Sequence, residues 1–186
     1  MTVARTSWKE KLEVERHEKD LFLGTSPRSP LPQEDRVAFH GLSYWPPDGR
    51  FRFELELEEH DEKTTIEVGD SEGRSRWLWK WGTFRFQLHG TKCTLKAYKS
   101  DRSEKRLFVP FRDATSGEES YGAGRYLDLK PERDRAEDGK WILDFNEAYN
   151  PWCAYRDDYA CPLVPRENWL EVPVRAGERK YPLSGE

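Results

Sequence analysis

Two stretches gather the side chains that could do chemistry. FRDATSGEESYGAGRY, residues 111–126, offers Arg112, Asp113, Thr115, Tyr121, Arg125 and Tyr126, and DFNEAYNPWCAY, residues 144–155, offers Asp144, Asn146, Tyr149, Asn150 and Tyr155. A guanidinium fork grips carboxylates and phosphates through paired hydrogen bonds, while amides and phenols orient a bound polar group. Carboxylates beside phenols also supply acid and base. Asp144 or Asp113 could accept a proton and Tyr121 or Tyr126 donate one in a hydrolase-type reaction. Gly122 and Gly124 leave room for a ligand against the backbone. The same residues equally suit a hydrogen-bonded plug, in which Arg125 neutralises an aspartate and Asn150 with Pro151 turns the chain.

Other chemistries find less support. Trp77, Trp79 and Trp81 interleave with Arg74, Arg76, Lys80 and Arg85, as in a stacking platform for single-stranded nucleic acid. Alternating bulky residues are also what a buried strand face looks like, and the net charge is -4. The strand is therefore read as core, with no nucleic-acid partner. Cys153 and Cys161 have no histidine near them, and His17, His40, His60 and His89 are scattered through unrelated segments. Zinc ligands come in close pairs, so no metal site is expected. Cys153 as a nucleophile lacks a histidine in its own segment, and the plainer reading is a small buried hydrophobe. There is no G-x-S-x-G elbow, and GAGRY lacks the strand-to-helix setting of a phosphate loop. No cofactor is expected.

These side chains have to be positioned by a fold built from little apolar material. Hydrophobic residues make up 35% of the 186, but Trp 8, Tyr 8 and Phe 9 bury large areas each. A core of few, bulky aromatics in a charged shell follows, and the length suits a single domain. No apolar run is long enough for a membrane span, and the first residues lack the apolar middle of a secretory signal. With three cysteines and an acidic balance, the expected setting is cytoplasmic, without a membrane or a disulfide framework.

Residues 1–6 are expected to be a disordered start. SWKE then reads as a capping box from Ser7 to Glu10, opening a helix over residues 7–24 whose sparse apolar positions dock it by its two ends. Gly24 is its expected stop. Pro27, Pro30 and Pro32 predict an extended strap over residues 25–50. From Phe51 the apolar period becomes two, so residues 51–186 read as sheet followed by C-terminal straps. TTIEV is the expected partner of the strand Phe51–Leu57. The tryptophans hold odd positions and Phe84, Phe86 and Leu88 even ones, so a bulge at Gly82 and Thr83 must reset the phase. HGTK predicts a hairpin into CTLKAY, and RLFVPF, YGAGRYLDL and KWILDF follow as strands. Pairing Leu127 with Leu143 puts Arg125 and Tyr121 on the apolar side and Asp144 opposite Tyr126. A charge there requires a carboxylate or a bound anion, with Asp113 and Glu119 nearest along the chain. The proline-rich tail predicts straps and one edge strand near Trp169–Val174. The architecture read from these elements is mainly β: one curled antiparallel sheet forming a barrel or sandwich, with the N-terminal helix packed alongside.

LFVPFRDATSGEESYGAGRYLDL, LDFNEAYNPWCAY, CPLVPRENWLEVPVRAGE and the earlier SPLP and FHGLSYWPPDGRF together resemble the prokaryotic family of domain of unknown function 1684. The resemblance spans Trp8 to the GERK element at Gly177–Lys180. It brings with it the motif positions Arg112, Asp113, Thr115, Gly117, Tyr121, Gly124, Arg125, Tyr126, Asp144, Phe145, Asn146, Tyr149, Asn150, Pro151, Cys153, Tyr155, Cys161 and Pro162, and no established activity. Ser116 and Ser120 stand where threonine is commoner in the family, and Trp152 where a small residue or proline is, which would crowd a pocket mouth.

The function read from the sequence is binding of a small polar or anionic ligand between the two clusters. Arg125 is the charge partner, and Asn146, Tyr126 and Tyr149 orient the ligand. The acid/base enzyme and the structural or protein-interaction domain are the alternatives.

Overall fold

The computed structural model describes residues 7–181, so the expected disordered start lies outside the described residues. The capping box forms: Ser7 Oγ accepts from the Glu10 amide at 3.3 Å and the Ser7 amide donates to Glu10 Oε2 at 2.7 Å. Helix α1 spans Trp8–Thr25 and buries Leu12 and Leu23 near its two ends, leaving Val14 and Leu21 exposed. Gly24 does not stop it, and the helix closes when the Ser26 amide donates to the Phe22 carbonyl. Within the expected strap a short helix, α2 (Gln33–Ala38), intervenes. Pro32 stands at its N-cap, where a missing N–H breaks no intrahelical bond.

The strands are β1 (Arg52–Leu55), β2 (Glu58–Glu59), β3 (Thr65–Gly69), β4 (Ser75–Leu88), β5 (Thr91–Lys99), β6 (Leu107–Phe111), β7 (Arg125–Leu129) and β8 (Trp141–Asp144), with a one-turn helix α3 (Pro131–Asp134) before β8. The pairings between these strands are antiparallel. β4, β5, β6 and β7 follow in order, β2 and β3 both pair with the outer side of β4, and β1 with β8 forms a separate two-stranded sheet. Among the described residues no sheet closes into a barrel.

Three pairing expectations are corrected. β3 pairs with β4, not with β1. Leu127 lies opposite Val109 and Leu143 opposite Phe53, so β7 and β8 are not partners. Tyr126 instead exchanges backbone hydrogen bonds with Tyr149, at 2.9 and 3.1 Å. Among the described residues the tail forms no edge strand. It runs beside Arg112, which bonds Asn168 and Leu170 through its backbone, while Pro173 offers no donor to extend a ladder.

The expected phase reset forms one residue early, beside Gly82: the β4–β5 register shifts between Lys80 and Gly82, so Trp81 is the extra residue. After it Phe84, Phe86 and Leu88 enter the main core with Leu95, Val109, Phe111, Leu127, Leu143 and Phe145. Before it Leu78 faces the opposite side, with Val68, Tyr98, Phe108, Tyr126 and Val164. The tryptophans are consequently not a core row. Trp77 is 61% exposed, while Trp79 and Trp81 are half-buried beneath Arg102, Lys63 and Lys99. His89 and Gly90, both at positive φ, make the two-residue turn of the β4–β5 hairpin. Among the described residues no helix is long and apolar enough to cross a membrane.

At the bulge the chain needs glycine, because a Cβ on Gly82 would lie 2.8 Å from Leu57 Cδ1 and 2.9 Å from the Glu58 carbonyl oxygen. Gly82→Ala is expected to push β2 off β4 and cost about 1–3 kcal/mol. Urea unfolding would show this as a lower midpoint at unchanged slope, and an unmoved midpoint would mean that the bulge does not hold β2.

Candidate functional site

Strand alternation turns Arg125, Leu127 and Leu129 toward the main core and Tyr126 away from it. Arg125 is 0% exposed. Its Nη2 donates to Asp113 Oδ2 at 2.9 Å and to the Val174 carbonyl at 2.7 Å, and its Nη1 donates to the carbonyls of Ala176 and of Glu178. The guanidinium carbon lies 5.0 Å from the ring centroid of Trp45 and 5.2 Å from that of Phe111. Burial pulls its pKa below the ordinary value, opposed by Asp113. Asp113 Oδ1 is taken by the amides of Thr115 and Val174. The negative partner that an inward guanidinium demands is thus Asp113, and Arg125's charge is spent inside the fold. Glu119 pairs instead with Arg175 at the surface.

The second cluster converges elsewhere, on Glu178. Its carboxylate accepts from the Asn150 amide at 2.8 Å, from the Tyr155 hydroxyl at 2.9 Å and from Lys19 of α1, and is almost fully buried. Asp144 caps the turn after β8. Its Oδ1 accepts from the Asn146 amide and side chain, and its Oδ2 from Trp8 Nε1 at 2.6 Å, with Arg52 Nε at 3.4 Å. Burial raises the Asp144 pKa against these donors. Asn146 also makes paired bonds with the backbone of Asp48. Tyr126 donates to the Pro162 carbonyl, Tyr121 to the Cys153 carbonyl at 3.3 Å, and Arg112 stacks on Trp169 at 4.1 Å. The residues singled out in the sequence therefore divide among separate networks and do not ring one pocket.

A cleft does open beside them, between α1 and the turn that follows β8. Its cavity of about 250 Å³ is lined by Arg16 and Lys19 from α1, by Tyr44, by Asp128 and Lys130 at the end of β7, by Arg133 of α3, and by the 146–149 turn and Glu178. A second cavity of about 210 Å³ adjoins it and shares Leu12, Glu15, Arg133 and Glu147. Of the expected residues only Asn146 and Tyr149 line the larger one. Tyr149 donates to Asp128 Oδ2 at 2.7 Å, and Arg106 pairs with the other Asp128 oxygen. Arg133 pairs with Glu147 at 2.6 Å, yet burial pushes the Glu147 pKa up to about 7. Arg16 donates to the carbonyls of Trp45 and Asn146, and its Nε is buried without a partner. Neither Arg16 nor Lys130 has a carboxylate within ion-pair distance among the described residues. Among those residues no three His, Cys, Asp or Glu side chains are disposed to hold a metal ion.

Sequence reasoning passed over Glu178, Glu147 and the cations of α1. One signal was available: Leu12, Glu15, Arg16 and Lys19 fall on a single helical stripe, and Leu12 is the inward residue of that half of the helix. Nothing comparable marks Glu178, which sits in a charged tail.

Antiparallel sheets with an N-terminal helix docked across one side define the protein class by its fold. The chain belongs to the family described as Protein of unknown function (DUF1684), whose profile matches residues 37–179. It is similar to an uncharacterized protein of Haloarcula marismortui solved by solution NMR, at 42% identity over 92% of this chain and 94% of that one, with a TM-score of 0.72. No curated protein matches the chain.

Removing either member of the Arg125–Asp113 pair strands the other inside the core. Arg125→Met and Asp113→Asn are each expected to cost about 3–5 kcal/mol, with much of the loss shared in the double variant. A double-mutant cycle in denaturant measures this, and additive losses would mean that the two charges are not coupled.

Proposed function

We propose that the protein binds a small anionic molecule in the cleft between α1 and the 146–149 turn. The observation that carries this reading is the pair of cations without an ion-pair partner, Arg16 and Lys130, on a cleft where, among the described residues, Glu15 is the one carboxylate likewise without such a partner. Lys19 meets Glu178, Arg133 meets Glu147, and Asp128 meets Arg106 and Tyr149. An orphaned buried guanidinium nitrogen such as Arg16 Nε carries a cost that an anion would relieve. The role of charge partner thus passes from Arg125, whose charge is met by Asp113 although its Nε, like that of Arg16, is buried without a partner, to Arg16 and Lys130. Of the three residues expected to orient the ligand, Tyr149 and Asn146 line this cleft, with their side-chain polar atoms bonded to Asp128, Asp48 and Asp144. Together the two adjoining cavities suit a small metabolite rather than a macromolecule.

The acid/base reading through Asp144 or Asp113 draws less support, since the oxygens of both are occupied by fixed donors and both side chains are buried.

Thermal shift with inorganic phosphate, pyrophosphate, malonate and citrate tests the proposal. At least one of these anions is expected to raise the Tm, and Lys130→Glu, at an exposed position, should weaken binding about tenfold or more without unfolding the chain. No shift by any of the four in the parent protein would contradict it.

Glu147 sets the pH dependence. Its folded pKa of about 7 lies above the unfolded value, so its contribution to stability is complete below the unfolded pKa and is lost as pH rises through about 7. Ionisation also adds a negative charge to the cleft wall, so anion affinity should fall across pH 6–8, by at most about tenfold per unit. Glu147→Gln is expected to flatten both profiles. An affinity profile unchanged by that substitution would exclude Glu147 from the site.

A further inference from the structure

Beyond Tyr155 the chain runs on as a strap whose far end docks on the turn between β3 and β4. The Ser71 amide donates to the Cys161 carbonyl at 3.2 Å, the Leu163 amide to the Gly69 carbonyl at 2.8 Å, and Tyr126 holds the Pro162 carbonyl. That docking folds the strap back on itself. The Cys153 amide donates to Cys161 Sγ at 3.3 Å, and because that nitrogen and the Cys153 Cβ share one Cα, the two thiols occupy one small enclosure. Both are free and buried.

Each sulfur meets a donor. The Tyr121 hydroxyl lies 3.6 Å from Cys153 Sγ, the Cys153 amide donates to Cys161 Sγ, and Ser71 Oγ fixes the Cys161 backbone by accepting its amide at 3.2 Å. Arg76 donates to the Ala160 carbonyl at 3.3 Å, beside Cys161. Donors and a cation stabilise a thiolate, and a second thiol within reach can resolve its first oxidation product. The titration behaviour agrees: the neighbouring Cys153 thiol, then the amides of Cys153 and Trp152 and the charge of Arg76, hold Cys161 below the ordinary thiol value despite burial, while the same pairing pushes Cys153 up. Cys93 on β5 has no partner thiol, and burial raises its pKa.

We propose that Cys161 and Cys153 are an oxidisable pair, in which Cys161 reacts with hydrogen peroxide and Cys153 closes a disulfide. The Cys161 thiolate attacks one peroxide oxygen. An S–O bond forms, the O–O bond breaks, and the departing hydroxide takes up the proton that Cys161 released, leaving as water. The Cys153 sulfur then attacks the sulfenic sulfur, forming the S–S bond and breaking S–O. The hydroxide leaves as water with the Cys153 proton. Two thiols and one peroxide become one disulfide and two waters, the sulfurs giving up two electrons and the peroxide accepting them. The product would tie the strap at both ends across the seven residues between the cysteines.

Treating the reduced, full-length protein with a small excess of hydrogen peroxide near neutral pH, then alkylating and mapping peptides by mass spectrometry, tests this directly. The expected product is a Cys153–Cys161 linked peptide that dithiothreitol reverses, formed at least about tenfold faster than any modification of Cys93. In Cys153→Ser, dimedone should trap a sulfenic acid on Cys161. The comparison with Cys93 within the parent protein requires no variant to fold. Oxidation of Cys161 no faster than Cys93, or its passage to sulfinic acid without the linked peptide, overturns the proposal.

Discussion

A guanidinium removed from water has to be met by fixed acceptors, and Arg125 imposes that condition on two other parts of the chain. Asp113 supplies the charge, and the carbonyls of Val174, Ala176 and Glu178 supply the remaining acceptors. Those carbonyls belong to one C-terminal segment, which cannot leave without orphaning a buried charge at a cost of several kcal/mol. Gly177 lets the segment press close. It stands at φ 78°, and a Cβ there would meet the Ala148 carbonyl oxygen at 2.5 Å and that of Phe145 at 2.8 Å. The Glu178 amide accordingly donates to the Ala148 carbonyl, and the Trp45 amide to the Gly177 carbonyl.

Fixed positions are thereby relayed from the core to the surface. Because Arg125 fixes the segment, the Glu178 side chain reaches Asn150, Tyr155 and Lys19, joining the second polar cluster to α1. Because Trp45 is fixed, its carbonyl receives Arg16. Trp8 ties the start of the same helix to Asp144. The helix is pinned along its length by polar contacts where its apolar face is too sparse to dock it. The cleft is the space those contacts leave, so stability and the proposed binding site draw on the same network.

Much of this logic can be read in the sequence, and the parts that cannot have a common physical cause. The inward phase of Arg125 follows from its alternation with Leu127 and Leu129, and the need for a carboxylate follows from the cost of an unpaired buried charge. The bulge at Gly82 follows from two incompatible apolar phases on one strand. Capping by Ser7 and Glu10 is likewise a local matter of spacing. Partner choice between strands is not local. β1 and β8 lie far apart along the chain, and the two-residue periodicity of each would suit several partners equally. The arrival of Glu178 at the cleft depends on that global pairing, and in a tail rich in charge it looks like any solvated acid. Trp77 misled for a related reason, since alternation identifies a face without saying whether anything covers it.

Native-state hydrogen exchange on the amides of Val174, Glu178 and Asn150 bears most directly on the claim that Arg125 anchors the C-terminal segment. Val174 donates to Asp113, Glu178 to Ala148 and Asn150 to Glu178, so each reports a different link of the relay. The account predicts that all three exchange only through global unfolding, with the same opening free energy as the amides of β4 and β5. Exchange of these three through a low-energy local opening, while β4 and β5 stay protected, would contradict it.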